Sequence, residues 1–80
     1  MPKLPRVKGT DVIKALEKIG FAKARQKGSH VFMKKYLDNE KTKQVACVVP
    51  LHNKKTIAVG TLKNILRQAD VSVEEFVEHL

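Results

Sequence analysis

The residues best suited to chemistry in this chain surround one histidine. His30 lies in Gln26-Lys27-Gly28-Ser29-His30-Val31-Phe32, just after a glycine turn and at the mouth of a β-strand. Between Glu17 and Asp38 the sequence holds six Lys or Arg residues and no acid. An unperturbed imidazole titrates at about 6.5, so it can take or give a proton near neutrality. Held on a cationic surface, such a group suits proton transfer at a phosphodiester. RNA supplies its own nucleophile, the 2′-hydroxyl. An enzyme need only deprotonate it, protonate the leaving 5′-oxygen and stabilise charge on the phosphorane. One histidine with Lys or Arg provides much of this without a metal.

Other chemistries fit the sequence less well. His52, in Pro50-Leu51-His52-Asn53-Lys54-Lys55, is the only candidate for a second proton carrier, and a solvent-exposed loop histidine is the simpler reading. His79 lies in an acidic tail. The three histidines are far apart and no His/Asp/Glu cluster has ligand spacing, so no metal site is read. There is no phosphate-binding loop of the P-loop or Gly-x-Gly-x-x-Gly type. Ser29 and His30 are adjacent on a strand and point to opposite faces, which spoils them as a nucleophile–base pair. Cys47 is the only cysteine, so an internal disulfide is excluded. Its setting, Val45-Ala46-Cys47-Val48-Val49, reads as a packed hydrophobe rather than a reactive thiol.

The elements around His30 follow from pattern. Pro2 and Pro5 disfavour helix in Met1–Val7, which reads as an extended basic arm. Val12, Ile13, Leu16 and Ile19 form one helical stripe, with Thr10 as its cap, Asp11 at the positive end of the dipole and Gly20 as its stop. Phe21 to Gln26 alternates, with Ala22 and Ala24 toward a core and Lys23 and Arg25 the other way. Lys27-Gly28-Ser29 is a turn, and His30 to Tyr36 is the hairpin partner. After a polar turn at Leu37–Glu40, a third strand runs from Lys43 to Val49 and stops at Pro50. Leu51 to Val59 reads as a polar loop. Gly60-Thr61 opens a second helix with Leu62, Ile65, Leu66 and Ala69 on one stripe, and Ser72 and Glu75 box the start of a short terminal helix.

This order makes an α+β fold, a three-stranded antiparallel sheet covered on one face by helices. The other face is left open, and RNA can lie across an open cationic face. Two registers fit the second strand. In one, Val31 and Met33 face the helices, and His30, Phe32 and Lys34 share the open face with Lys23 and Arg25. In the other, Phe32 turns inward and His30 is a satisfied core histidine.

The 80 residues suffice for one domain, with a thin core. Net charge is +8, and every Lys and Arg lies at or before Arg67, whereas Gln68 onward holds four acids and no Lys or Arg. The body should attract a polyanion and the tail should face away from it. No stretch is apolar enough to span a bilayer or serve as a signal peptide, which points to the cytoplasm and away from membranes.

In order and spacing the chain resembles the HicA-type toxins, also described as the YcfA-like family. The likeness rests on Lys3-Leu4-Pro5-Arg6-Val7, Leu16-Glu17-Lys18-Ile19-Gly20-Phe21, the Gly28-Ser29-His30 signature and Val48-Val49-Pro50-Leu51-His52. It continues through Val59-Gly60-Thr61-Leu62-Lys63-Asn64-Ile65-Leu66-Arg67-Gln68-Ala69 and Val71-Ser72-Val73-Glu74-Glu75-Phe76. The resemblance implies a double-stranded-RNA-binding-domain-like α-β-β-β-α fold spanning residues 1–80. It implies an mRNA interferase that needs no cofactor, with His30 as its catalytic histidine. It also implies a cognate HicB antitoxin that covers this histidine. The family usually has glycine where Asp70 stands, and it settles no role for His52. The RNA-binding set is then Lys23, Arg25, Lys27, Ser29, Phe32, Lys34, His52, Lys54 and Lys55. A non-catalytic RNA-binding module on the same face, or a domain that binds only protein, are the competing readings.

Overall fold

The computed structural model describes residues 4–51 and 55–80. Helix α1 (Gly9–Ile19) buries Val12, Ile13 and Leu16 of the expected stripe together with Ala15, while Ile19 is half-buried against the core. It starts earlier than its expected cap. Lys8 is the N-cap, its backbone N–H donating to the Asp11 carboxylate at 3.0 Å, and Thr10 lies inside the helix. Tertiary pairing explains the shift. Val7 and Lys8 pair with Thr56 and Ile57, Ile57 N–H donating to the Val7 carbonyl at 2.7 Å, and the helix begins where this pairing ends. That pairing also draws Val7 and Ile57 into the core, so residues 55–57, expected as part of a polar loop, are tied to the fold. Gly20 ends α1 at φ 119, a left-handed conformation that favours glycine.

The sheet holds β1 (Ala22–Lys27), β2 (His30–Tyr36) and β3 (Gln44–Pro50), antiparallel in the order β1-β2-β3. β2 and β3 pair one-to-one from His30 opposite Pro50 to Tyr36 opposite Gln44. Between β1 and β2 the register slips: Lys23 lies opposite Met33, but Arg25 lies opposite Phe32. The slip is a β-bulge that breaks the expected alternation. Ala22 and Ala24 are exposed, as is every β1 residue, because β1 is an edge strand beyond the helices' cover.

Helices α2 (Val59–Ala69) and α3 (Val73–Glu78) complete the α-β-β-β-α layout with its short last helix. α2 begins at Val59, one residue before the expected Gly60, and buries Leu62, Ile65, Leu66 and Ala69. These join Val31, Met33, Cys47 and Val49 of the sheet, α1, and Phe76 of α3 in one apolar cluster on one side of the sheet. Ser72 Oγ accepts the Glu75 N–H at 3.1 Å, the cap read from the sequence.

Asp70 closes α2 at φ 56, where an L-residue is strained. Asp70→Gly should therefore stabilise the fold by about 0.5 kcal/mol, the relief of strain exceeding glycine's greater freedom when unfolded. Differential scanning calorimetry should register this as a Tm raised by roughly 2–4 °C, and a lower Tm would refute it.

Candidate nucleic-acid interface

His30 is the first residue of β2 and is exposed. Its position is set by the two-residue turn Gly28-Ser29, in which Gly28 takes φ 59, a value a side chain would resist. Gln26 Nε2 donates to the Gly28 carbonyl at 3.1 Å. On the other side, Leu51 N–H donates to the Ser29 carbonyl at 2.6 Å, which carries the β2–β3 ladder past His30. The histidine is thus held between Lys27 of β1 and Pro50 of β3 by backbone pairing on both flanks.

Burial decides between the two registers. Val31 and Met33 are 0% exposed against the helices, whereas Phe32 is half-buried on the other face. His30, Phe32, Lys34 and Tyr36 therefore line the open face, with Lys27 opposite His30 and Arg25 opposite Phe32. The Arg25 guanidinium lies over the Phe32 ring, 4.6 Å from its centroid. Lys34 Nζ donates to Tyr36 Oη at 3.2 Å, and Lys41 Nζ lies 5.8 Å from the same ring. The open face thus runs from His30, with Lys27 and Arg25 near it, along Phe32 and Lys34 to Tyr36 and Lys41 at the far end of β2. Aromatic rings flanked by cations give bases a stacking platform and phosphates a counter-charge. Among the described residues no side chain hydrogen-bonds the His30 ring.

Several sequence-derived site residues lie elsewhere. The bulge turns Lys23 to the helix side, opposite Met33 and beside Ile13, Lys14 and Glu17 of α1, so it does not join Arg25 on the open face. Lys55 is exposed next to Thr56, on the segment that pairs with Lys8 rather than in the sheet. His52 and Lys54 lie outside the described residues. Ser29 contributes its carbonyl to the Leu51 contact and is exposed. Tyr36 was missing from the sequence-derived set. The alternation of Phe32, Lys34 and Tyr36 on one strand would have found it.

Asp38 has a structural role. Asp38 accepts the Thr42 hydroxyl and the N–H groups of Thr42 and Lys43, which orders the β2–β3 turn. The Thr42 hydroxyl contact, with the backbone N–H groups, lowers the Asp38 pKa. A lowered carboxylate pKa means these contacts favour the turn above the unfolded value and lose hold as pH falls through the folded one. His79 Nδ1 sits 2.8 Å from the Glu75 carbonyl on α3, and the acids of α3 lie on the helix side, away from the open face.

Cys47 is buried, and loss of solvent pushes its thiol up to about 11. At neutral pH it is the inert thiol, not the thiolate nucleophile. Native protein should resist iodoacetamide at pH 7.5, whereas denatured protein, with an ordinary thiol pKa of about 8.5, should be alkylated. Rapid native alkylation, read by mass spectrometry, would contradict this. The same raised pKa favours the folded state below the unfolded value, an advantage that fades as pH climbs toward the folded one.

No helix among the described residues is long and apolar enough to cross a membrane. A family model described as HicA toxin of bacterial toxin–antitoxin matches residues 9–71, a span from the start of α1 through the sheet and the His30 turn to just past α2. No curated protein matches the chain.

Proposed function

This chain belongs to the HicA toxin family of bacterial toxin–antitoxin systems, and from that premise we propose that it is an endoribonuclease that cuts mRNA with His30 as general acid or base. Membership makes it the toxin of a two-part system with a cognate antitoxin. The observation that supports ribonuclease chemistry is the setting of His30: exposed, free of hydrogen bonds from the described side chains, and on an open face with Arg25, Lys27 and Lys34.

In this reading a single strand of mRNA lies across the open face. Lys27, opposite His30, and Arg25 hold phosphates. Phe32 stands two residues from His30, about 7 Å along the strand. The Arg25 guanidinium already lies on that ring, so a base next to the scissile phosphate stacks on the outer face of the guanidinium or against the ring edge. His30 moves a proton at the 2′-hydroxyl or at the leaving 5′-oxygen, and lysine and arginine stabilise the phosphorane. The 2′-oxygen forms a bond to phosphorus as the bond to the 5′-oxygen breaks, which leaves a 2′,3′-cyclic phosphate. The chemistry calls for no metal and no cofactor. The toxin domain works in the cytoplasm, and a HicB-like antitoxin silences it by covering His30.

Incubating purified protein with labelled single-stranded RNA, with and without EDTA, tests the proposal. Cleavage of equal rate in both is the expected result. Stable, salt-sensitive binding to intact RNA would favour the non-catalytic module. Neither binding nor cleavage would leave a protein-interaction domain.

A further inference from the structure

We propose that the outer edge of β3, from Gln44 to Val48, is where an extended acidic segment of the antitoxin docks as a fourth strand of the sheet. The partner rests on family membership, and nothing in the proposal depends on RNA cleavage.

The two edges of the sheet are built differently. β1 carries Lys23, Arg25 and Lys27 and a bulge, features that discourage a new strand. β3 runs Gln44-Val45-Ala46-Cys47-Val48-Val49 without a charge, and its register with β2 is unbroken. Two hydrogen bonds show how its backbone is used. Leu37 N–H donates to the Lys43 carbonyl and Leu51 N–H to the Ser29 carbonyl. Residues 43, 45, 47, 49 and 51 are therefore the ones that bond β2. The N–H and C=O groups of Gln44, Ala46 and Val48 point outward, and among the described residues none bonds them. Among the described residues the edge is closed at Pro50. There α1 approaches so closely that a Cβ on Gly9 would lie 2.5 Å from the Pro50 carbonyl oxygen.

An uncharged, regular edge of this kind takes up another strand unless something guards it. Charge selects the occupant. On the open face Ala46 lies opposite Lys34, and its short side chain leaves that ammonium within reach of a neighbouring strand. Lys41 and Lys43 lie at the Gln44 end, next to exposed Tyr36 and Leu37. A second copy, itself +8 in charge, would bring the same cations together. An acidic segment would neutralise them and gain main-chain hydrogen bonds as well. A strand there also sets the antitoxin beside the face that holds His30, since Pro50 and His30 are direct partners.

Amide hydrogen exchange on the chain, free and bound to its purified cognate antitoxin, tests the docking site. Ala46 and Val48 amides should become protected on binding, and the β1 amides should not. Ala46→Pro removes only an outward N–H, a change edge strands tolerate. It should weaken antitoxin binding by roughly tenfold, as loss of one well-placed hydrogen bond does, with Tm held near the parent's. Ala46→Glu should weaken binding more than Ala46→Lys, because the docked segment is acidic. Unchanged exchange at Ala46 and Val48 in the complex would overturn the proposal even if a variant failed to fold. So would Ala46→Pro and Ala46→Glu binding as the parent does. A dimer of the free chain that protects these amides and is abolished by Ala46→Pro would assign the edge to a second copy and overturn it too. Failure of RNA cleavage, by contrast, would strike the ribonuclease reading and leave this result untouched.

Discussion

His30→Ala should slow RNA cleavage by roughly 10²–10⁴-fold, the usual worth of a general acid or base. The loss should fall on kcat and on kcat/KM alike, since the imidazole is used in the transition state and contributes little to ground-state binding. RNA affinity should stay close to the parent's, because Arg25, Lys27 and Lys34 remain on the same face. Stability should change little as well. The ring is exposed, the backbone around it is held by β1 and β3, and surface changes of this kind lie within about 0.5 kcal/mol. The variant thus separates chemistry from folding. A protein that melts, binds and cleaves as the parent does would remove His30 from the mechanism. The pH–rate profile gives a second readout: one limb of the parent's profile should vanish in the variant.

RNA affinity should fall steeply with salt. Arg25, Lys27, Lys34 and Lys41 are the cations of the open face, and each phosphate contact on single-stranded RNA contributes a slope of about −0.7 in log affinity against log salt. Four contacts give a slope near −3, so raising salt from about 50 to 200 mM should weaken binding roughly 50-fold. Arg25→Ala should reduce the slope by about 0.7, the share of one contact. Lys23→Ala should leave it unchanged, because the bulge puts Lys23 on the helix side. Fluorescence anisotropy with a short labelled RNA reads all three slopes. An equal effect of the two substitutions would mean that RNA does not select the open face.

Most of the scaffold is legible in the sequence because its signals are local. The stripes of α1 and α2, the stop at Gly20, the cap at Ser72 and the turn at Gly28 each follow from a few neighbouring residues, and each stands where spacing puts it. What depends on distant pairing is not legible. Ala22-Lys23-Ala24-Arg25 reads as plain alternation, and nothing in it marks the bulge that sends Lys23 and Arg25 to opposite faces. Val7 and Ile57 read as arm and loop until their backbones meet, and that meeting also moves the cap of α1 from Thr10 to Lys8.

The site divides in the same way. His30 and its turn are visible in the Gly-Ser-His spacing. The choice between Val31 and Phe32 as the buried residue needs the helices, whose apolar side accepts Val31 and Met33 and leaves Phe32 to Arg25. Tyr36 follows from the same alternation as Phe32 and Lys34 once that register is fixed. The contrast between a charged, bulged β1 and a neutral, regular β3 needs the strand order, since only then are both known to be edges.

The central claim is that RNA is cut by its own 2′-hydroxyl, with the His30 imidazole moving a proton. Mass spectrometry of the fragments formed in EDTA tests it most directly. Fragments ending in 2′,3′-cyclic phosphate, with 5′-hydroxyls on their downstream partners, are the predicted outcome. Fragments with 3′-hydroxyl and 5′-phosphate ends would mean that water, not the neighbouring hydroxyl, attacks phosphorus, and the account would be wrong.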